Sequence, residues 1–274
     1  MDNPSAVAEA AAARAGVQTW SITDNAELEL IDPLFQEVWQ ADGPQIGMPV
    51  NLLRALVLSG NYVAGAWRDG RLLGAAVAFL GRHGRTLELH SHVAGVSRAT
   101  QVSGVGYALK LHQRAWALER SIRRVAWTFD PLIRRNAWFN LEKLGAEAVT
   151  FFPDLYGVMV DELNGTDETD RCLIHWDLTA LWPPEPGPTG GDTPVLLRVG
   201  AGQVPEVVDG RIAGPPAVVC QVPEDIVAIR QTDPDLARQW RLALRRTMGA
   251  AMADGYVATS ISRHGWYRLE RPSR

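Results

Sequence analysis

The sequence predicts an α+β fold: a mixed, mostly antiparallel sheet flanked by helices, followed by a C-terminal α+β extension. Three observations point there. Strand-like alternation and helical periodicity succeed one another without a regular βα rhythm. Asp69-Gly70 joins two alternating runs as a hairpin. WPPEPGPTGGDTP, residues 182–194, holds five prolines and three glycines and cannot be a regular element.

Taken in order, MDNPSAVAEAAAARAG reads as a frayed Ala-rich helix, without the basic start and continuous apolar core of a signal peptide. VQTWSIT alternates like a strand. Asp24, with Glu27 three residues on, then opens one helix over AELELIDPLFQEVWQ in the manner of a capping box. PVNLLRALVLSG has helical spacing and stops at Gly60. NYVAGAWRDGRLLGAAVAFLG is the hairpin, GRHGRT a turn, and LELHSHVAGV (87–96) a third alternating strand. From Val105 to Glu119, residues Val105, Ala108, Leu109, His112, Ala115 and Trp116 share a helical face suited to packing on a sheet.

RRVAWTF is a strand, DPLIRR a connector, and NAWFNLEKLGA a helix with Gly145 at its stop. EAVTFFP, LYGVMVDEL and CLIHWDL read as strands. Beyond the Pro/Gly stretch, VLLRVG and AVVCQVP are strand-like, DPDLARQWRLALRRTMGAAMADG is one long helix, and YVATSIS with GWYRLER closes as a hairpin. The expected organisation is a domain over 1–181, a linker over 182–194 and a C-terminal α+β lobe over 195–274.

With 46% hydrophobic and 21% charged residues and a net charge of -4, the chain reads as an ordinary globular protein, with no basic face for nucleic acid. The longest apolar run, LLGAAVAFLG, is too short for a membrane span. Cys172 and Cys220 follow no metal-ligand spacing and read as buried small hydrophobes in a reducing compartment, so a cytoplasmic protein is expected.

The stretch QVSGVGYALKLHQRAWALE (101–119) puts two glycines at the mouth of a helix, where unsatisfied amides favour an anion. It is not a Walker loop: Tyr107-Ala108 stands where a Lys-Ser or Lys-Thr pair belongs. As a dinucleotide fingerprint it has Leu109 at the third glycine position, although Asp130 does follow a strand. The arrangement resembles the acyl-CoA cradle of the GNAT N-acyltransferase superfamily. Gln101, Gly104 and Gly106 match that family's Gln/Arg-x-x-Gly-x-Gly/Ala, and Ala137, Glu142, Lys143, Leu144 and Gly145 match its later helix. The resemblance covers roughly residues 17–165.

The resemblance implies acetyl-CoA or another acyl-CoA, held by the backbone of Gln101, Val102, Ser103, Gly104, Val105 and Gly106. It further implies that the pantetheine arm pairs along Ala94, Gly95 and Val96, with Asn136 and Lys143 as further cofactor contacts. The family's usual acid is a Tyr; Leu141 stands in its place here, and Tyr156 is the substitute. Alternation puts Glu88, His90 and His92 on one face continuing to Ala94 and Val96, which makes His90 or His92 the expected base and Glu88 a further catalytic candidate. Asp130 either caps its turn or binds substrate, and Arg134 with Arg135 is either an exposed basic pair or a grip for a substrate carboxylate.

Trp240, Arg241, Arg245 and Arg246 lie on a tail helix that covers the sheet or makes a homodimer contact. The implied acceptor is a small amine or amino acid. The alternatives are a non-catalytic CoA-binding sensor or assembly module, and a nicotinamide-dependent oxidoreductase.

Overall fold

In the computed structural model, residues 3–39, 48–97, 104–157, 159, 167–180, 193–208 and 214–272 are described. The chain forms two compact units, Met1–Ala126 and Trp127–Arg274. The division falls inside a strand and not at the Pro/Gly stretch, of which residues 182–192 lie outside the described residues.

The first unit begins with α1 (Pro4–Arg14), where Asn3 caps and Pro4 fills the first turn. The helix is packed and not frayed. Ala8, Ala11 and Ala12 are buried, Ser5 Oγ donates to Glu119 (3.0 Å), and Arg68 donates to the carbonyls of Ala15 (2.7 Å) and Gly16 (2.8 Å) at the helix exit. A cation there meets the negative end of the helix dipole.

After β1 (Gln18–Ser21), Asp24 caps α2 (Asn25–Leu28) by accepting from the amides of Ala26 and Glu27. The single helix expected here is in fact two, because α3 (Ile31–Trp39) restarts around Pro33, whose ring cannot continue the preceding turn. Glu27 does not close a capping box; its carboxylate accepts from Trp20 Nε1 at 3.3 Å.

Then come α4 (Val50–Leu58), β2 (Tyr62–Arg68), β3 (Arg71–His83), β4 (Thr86–Val96), α5 (Val105–Glu119) and the start of β5 (Arg124–Phe129). The β2–β3 turn has φ 50° at Asp69 and 73° at Gly70, the two positive values a two-residue hairpin of this kind needs. The sheet order is β1-β2-β3-β4-β5, antiparallel except for the parallel β4–β5 pair. On one face, Ile22, Leu28, Ile31, Phe35, Leu53, Trp67 and Val77 form the core. On the other lies α5. A Cβ on Gly74 would stand 3.1 Å from both Leu109 and Val105, so a glycine lets this helix approach the strand.

In the second unit, α6 (Arg134–Trp138) runs into a π-helical turn (Phe139–Lys143), and Gly145 ends it at φ 65°. The strands are β6 (Glu147–Phe152), β7 (Arg171–Asp177), β8 (Val195–Val199), β9 (Pro205–Val207), β10 (Ala217–Gln221), β11 (Val257–Ile261) and β12 (Trp266–Glu270). Their order is β7-β6-β11-β12-β10-β8-β9. The C-terminal strands thus join the sheet of β6 and β7, through Ala258 opposite Ala148.

Most of LYGVMVDEL, expected as a strand, lies outside the described residues; Leu155 and Tyr156 belong to a turn. The long tail helix is continuous, as expected, from Pro234 to Ala253, with a π-helical turn (Arg245–Gly249) between α8 (Pro234–Leu244) and α9 (Ala250–Ala253). The sequence reading missed α7 (Ile226–Thr232), capped by Asp225, because it spans only two turns. Trp240 and Arg241 are buried, Trp240 Nε1 donating to Gln203 O at 2.9 Å. Cys172 and Cys220 are free and buried, as expected.

Candidate functional site

The glycine turn enters the described region at Gly104, the N-cap of α5, with φ 86° and ψ 4°. Gln101, Val102 and Ser103 lie outside the described residues. Among the described residues no side chain caps the helix at Gly104, and the first amides of any helix have no acceptor inside it. Among the described residues, a Cβ on Gly104 would come nearest to Ala15 (3.7 Å), and one on Gly106 to Val96 (3.6 Å). Backbone N–H groups at this entrance are therefore approachable by an anion, which the positive end of the 15-residue helix favours. These residues fit a phosphate-bearing ligand by that geometry.

The strand leading to the turn, β4, departs from the expected alternation. Val77 pairs with Val93 and Ala78 with Ser91, so His92 is an extra residue, a β-bulge. Glu88, His90 and His92 lie on the face of Phe79, whose ring stacks on His90 (4.9 Å) and tilts against His92 (5.8 Å). Past the bulge the sides exchange. Gly95 now faces Phe35 and Trp39, and Val96 faces α5. Ala94 and Val96 therefore do not share a face with His90, contrary to the expectation, because one inserted residue inverts a period of two.

The pairing of β4 with β5 is confined to Leu89 opposite Val125 and His90 opposite Ala126. From Ser91 to Val96, no strand pairs with the outer edge of β4 among the described residues. That edge presents main-chain donors and acceptors to an extended ligand.

His90 is half-buried and His92 exposed. Burial lowers the pKa of both below the ordinary imidazole value; at His90, repulsion from His92 adds to this, Glu88 opposes it, and Lys110 adds a further lowering. Both rings are accordingly neutral, hence able to accept a proton, at neutral pH. Glu88 stands 3.7 Å from the Arg124 guanidinium. His112 is engaged elsewhere: its Nδ1 lies 2.9 Å from the Tyr62 hydroxyl.

In the second unit, Tyr156 is half exposed and its hydroxyl lies 2.8 Å from Thr128 Oγ1. Asp130 is buried: its Oδ1 accepts from Leu132 N (2.9 Å) and its Oδ2 meets buried Arg230 at 2.7 Å. The carboxylate caps the turn and pairs with Arg230. Arg134 lines a cleft of about 570 Å³ with Arg135, Trp138, Asp225 and Arg263, and lies 3.4 Å from Glu224. Asn136 is half-buried and Lys143 exposed, on α6 and its π-helical turn. Leu141, at the position of the missing Tyr, is buried.

Two residues escaped the sequence reading. Phe79 sits in an apolar run with nothing to mark it, and Lys110 lies off the helical stripe singled out for α5. Only the burial of α5 nearly all round, from Ala108 to Ala117, brings that lysine inside.

No family model matches the sequence, and no curated protein matches it. Among solved structures, the chain is similar to a putative acetyltransferase from Salmonella typhimurium with its cofactor acetyl-CoA: 17% identity, TM-score 0.49, over 62% of this chain and 98% of that one. It is also similar to an N-acetyltransferase from Staphylococcus aureus Mu50, at 13% identity and TM-score 0.48, over 60% and 99% of the two chains. The ribosomal-protein-S18-alanine N-acetyltransferase from Escherichia coli matches at 12% identity and TM-score 0.47, over 61% and 97%.

Proposed function

We propose that the chain is an acyl-CoA-dependent N-acyltransferase, moving an acetyl or larger acyl group to the amine of a small molecule or amino acid by direct attack in a ternary complex. The observation that carries this reading is the left-handed Gly104 at the start of α5, following a strand whose outer edge pairs with no strand from Ser91 to Val96 among the described residues. The motif Gln101-x-x-Gly104-x-Gly106 and the order of elements around it support the same reading.

In this reading the amides at the start of α5 grip the diphosphate, and the outer edge of β4 orients the pantetheine arm by main-chain hydrogen bonds. Coenzyme A supplies an activated acyl thioester. A main-chain N–H of β4 near Ala94–Val96 stabilises charge developing on the acyl oxygen. His90 or His92 takes the proton of the incoming ammonium, for which their lowered pKa values suit them. Tyr156 is the proposed acid for the departing thiolate, in place of the family's usual Tyr. Glu88, tied to Arg124, positions the strand and does not touch the amine.

The test is thiol release from acetyl-CoA and longer acyl-CoAs with a panel of amines and amino acids. Acceptor-dependent release supports the enzyme. No CoA binding in calorimetry ends the reading. The second reading is a CoA-binding module without turnover, favoured by the buried Leu141 in place of the usual acid. Tight CoA binding with no acceptor across the panel selects it.

A further inference from the structure

Lys110 is a buried cation that the reaction above does not use. It sits on α5 with 8% of its surface exposed, and its Nζ donates to Ser91 Oγ (2.9 Å) and Gln113 Oε1 (3.1 Å). Burying an ammonium costs several kcal/mol unless it is hydrogen-bonded, so the fold tolerates it only with such partners. Ser91 immediately precedes the bulged His92 and faces α5, while His90 and His92 face Phe79. The lysine therefore grips the strand from behind, at the residue lying between the two imidazoles.

We propose that Lys110 is a positioning residue: by holding Ser91 through the sheet it fixes the β4 bulge that sets His90 and His92 side by side. The role in turnover rests on the acyl-transfer reading; the geometry of the bulge does not. Hydroxyl and ammonium form a short charge-assisted contact that a neutral helix residue would not supply. A bulge leaves one residue outside the ladder, so a side-chain tether next to it replaces part of the restraint that the ladder loses.

The charge acts on His90 from α5, against Glu88 and alongside His92 on β4 itself; β3 contributes the uncharged Phe79, and Arg124 on β5 is engaged with Glu88. Burial holds the Lys110 pKa down to about 7, and burial first of all lowers that of His90 as well.

Two variants separate the parts. Lys110→Met keeps the length of the side chain and removes its charge; Ser91→Ala keeps the charge and removes the tether. Imidazole resonances followed by NMR titration of the free protein are the primary readout, since they require neither ligand nor turnover. The expected result is a higher titration midpoint for His90 in Lys110→Met, with little change in Ser91→Ala. Both variants should show faster amide exchange at His92 and Val93, and a loss of turnover of about ten- to a hundredfold with KM for acyl-CoA unchanged.

A folded Lys110→Met whose His90 midpoint stays in place, with unaltered exchange at the bulge, overturns the proposal whether or not the protein transfers acyl groups. Altered titration and exchange without turnover on any acceptor would uphold the positioning role and reject the enzyme. Should Lys110→Met fail to fold, Ser91→Ala decides the tether: unchanged exchange at His92 and Val93 rejects it.

Discussion

Lys110 loses its proton near pH 7 in the folded chain, whereas the unfolded chain holds it to about 10.5. Between those values the unfolded state binds more protons, so this group makes stability rise with pH. Relative to the wild type, Lys110→Met should gain most at and below pH 7 and lose that advantage progressively as the pH rises toward 10.5, which paired urea denaturation series would show. His90, His92 and His112 have lowered values as well, so their contribution is full above the unfolded value of 6.5 and declines as the pH falls through it. The histidines were legible in the sequence as a repeating strand pattern. Their face was not, because a bulge is set by the register of the partner strand and leaves no mark in a period of two.

At the scale of the element, α5 separates its two glycines by physical role. Gly104 occupies the left-handed region, where a side chain costs about 1–2 kcal/mol. Gly106 lies inside the helix with ordinary space beside Val96. Gly104→Ala should therefore destabilise the protein by about that amount and weaken CoA binding, while Gly106→Ala should gain about 0.5–1 kcal/mol and keep it. Thermal melts with calorimetric CoA titration check both. The hairpin at Asp69-Gly70 was readable because few dipeptides accept two positive φ values. The burial of α1 was not: an alanine-rich helix has little amphipathic contrast, and its partners, α5 and Arg68, are far away in sequence. The split of α2 from α3 was readable in principle at Pro33, which the apolar periodicity outweighed.

Over the whole molecule, a net charge of -4 conceals charges that have been taken inside. Arg241 meets Asp167 (2.7 Å) and Glu168 (2.9 Å), and Arg245 meets Glu168 (2.6 Å), which holds the Glu168 carboxyl below its usual range. The Asp130–Arg230 pair is more enclosed, both side chains being 5% exposed. Asp130→Ala should cost about 3–5 kcal/mol by removing a carboxylate partner of a buried guanidinium, and adding Arg230→Met should recover much of it; denaturant midpoints of the single and double variants test this. Composition showed the charge count but not which arginines would be enclosed, since enclosure depends on partners brought from distant segments.

The snug seat of α1 has a practical corollary. Ala15, just beyond its last turn, is the neighbour nearest to where a side chain on Gly104 would project, and Arg68 anchors the carbonyls on that side. A fusion tag, a protease nick or a shortened reading frame that pries away the first sixteen residues would strip the backing from the glycine turn, although none of those residues needs to touch a ligand.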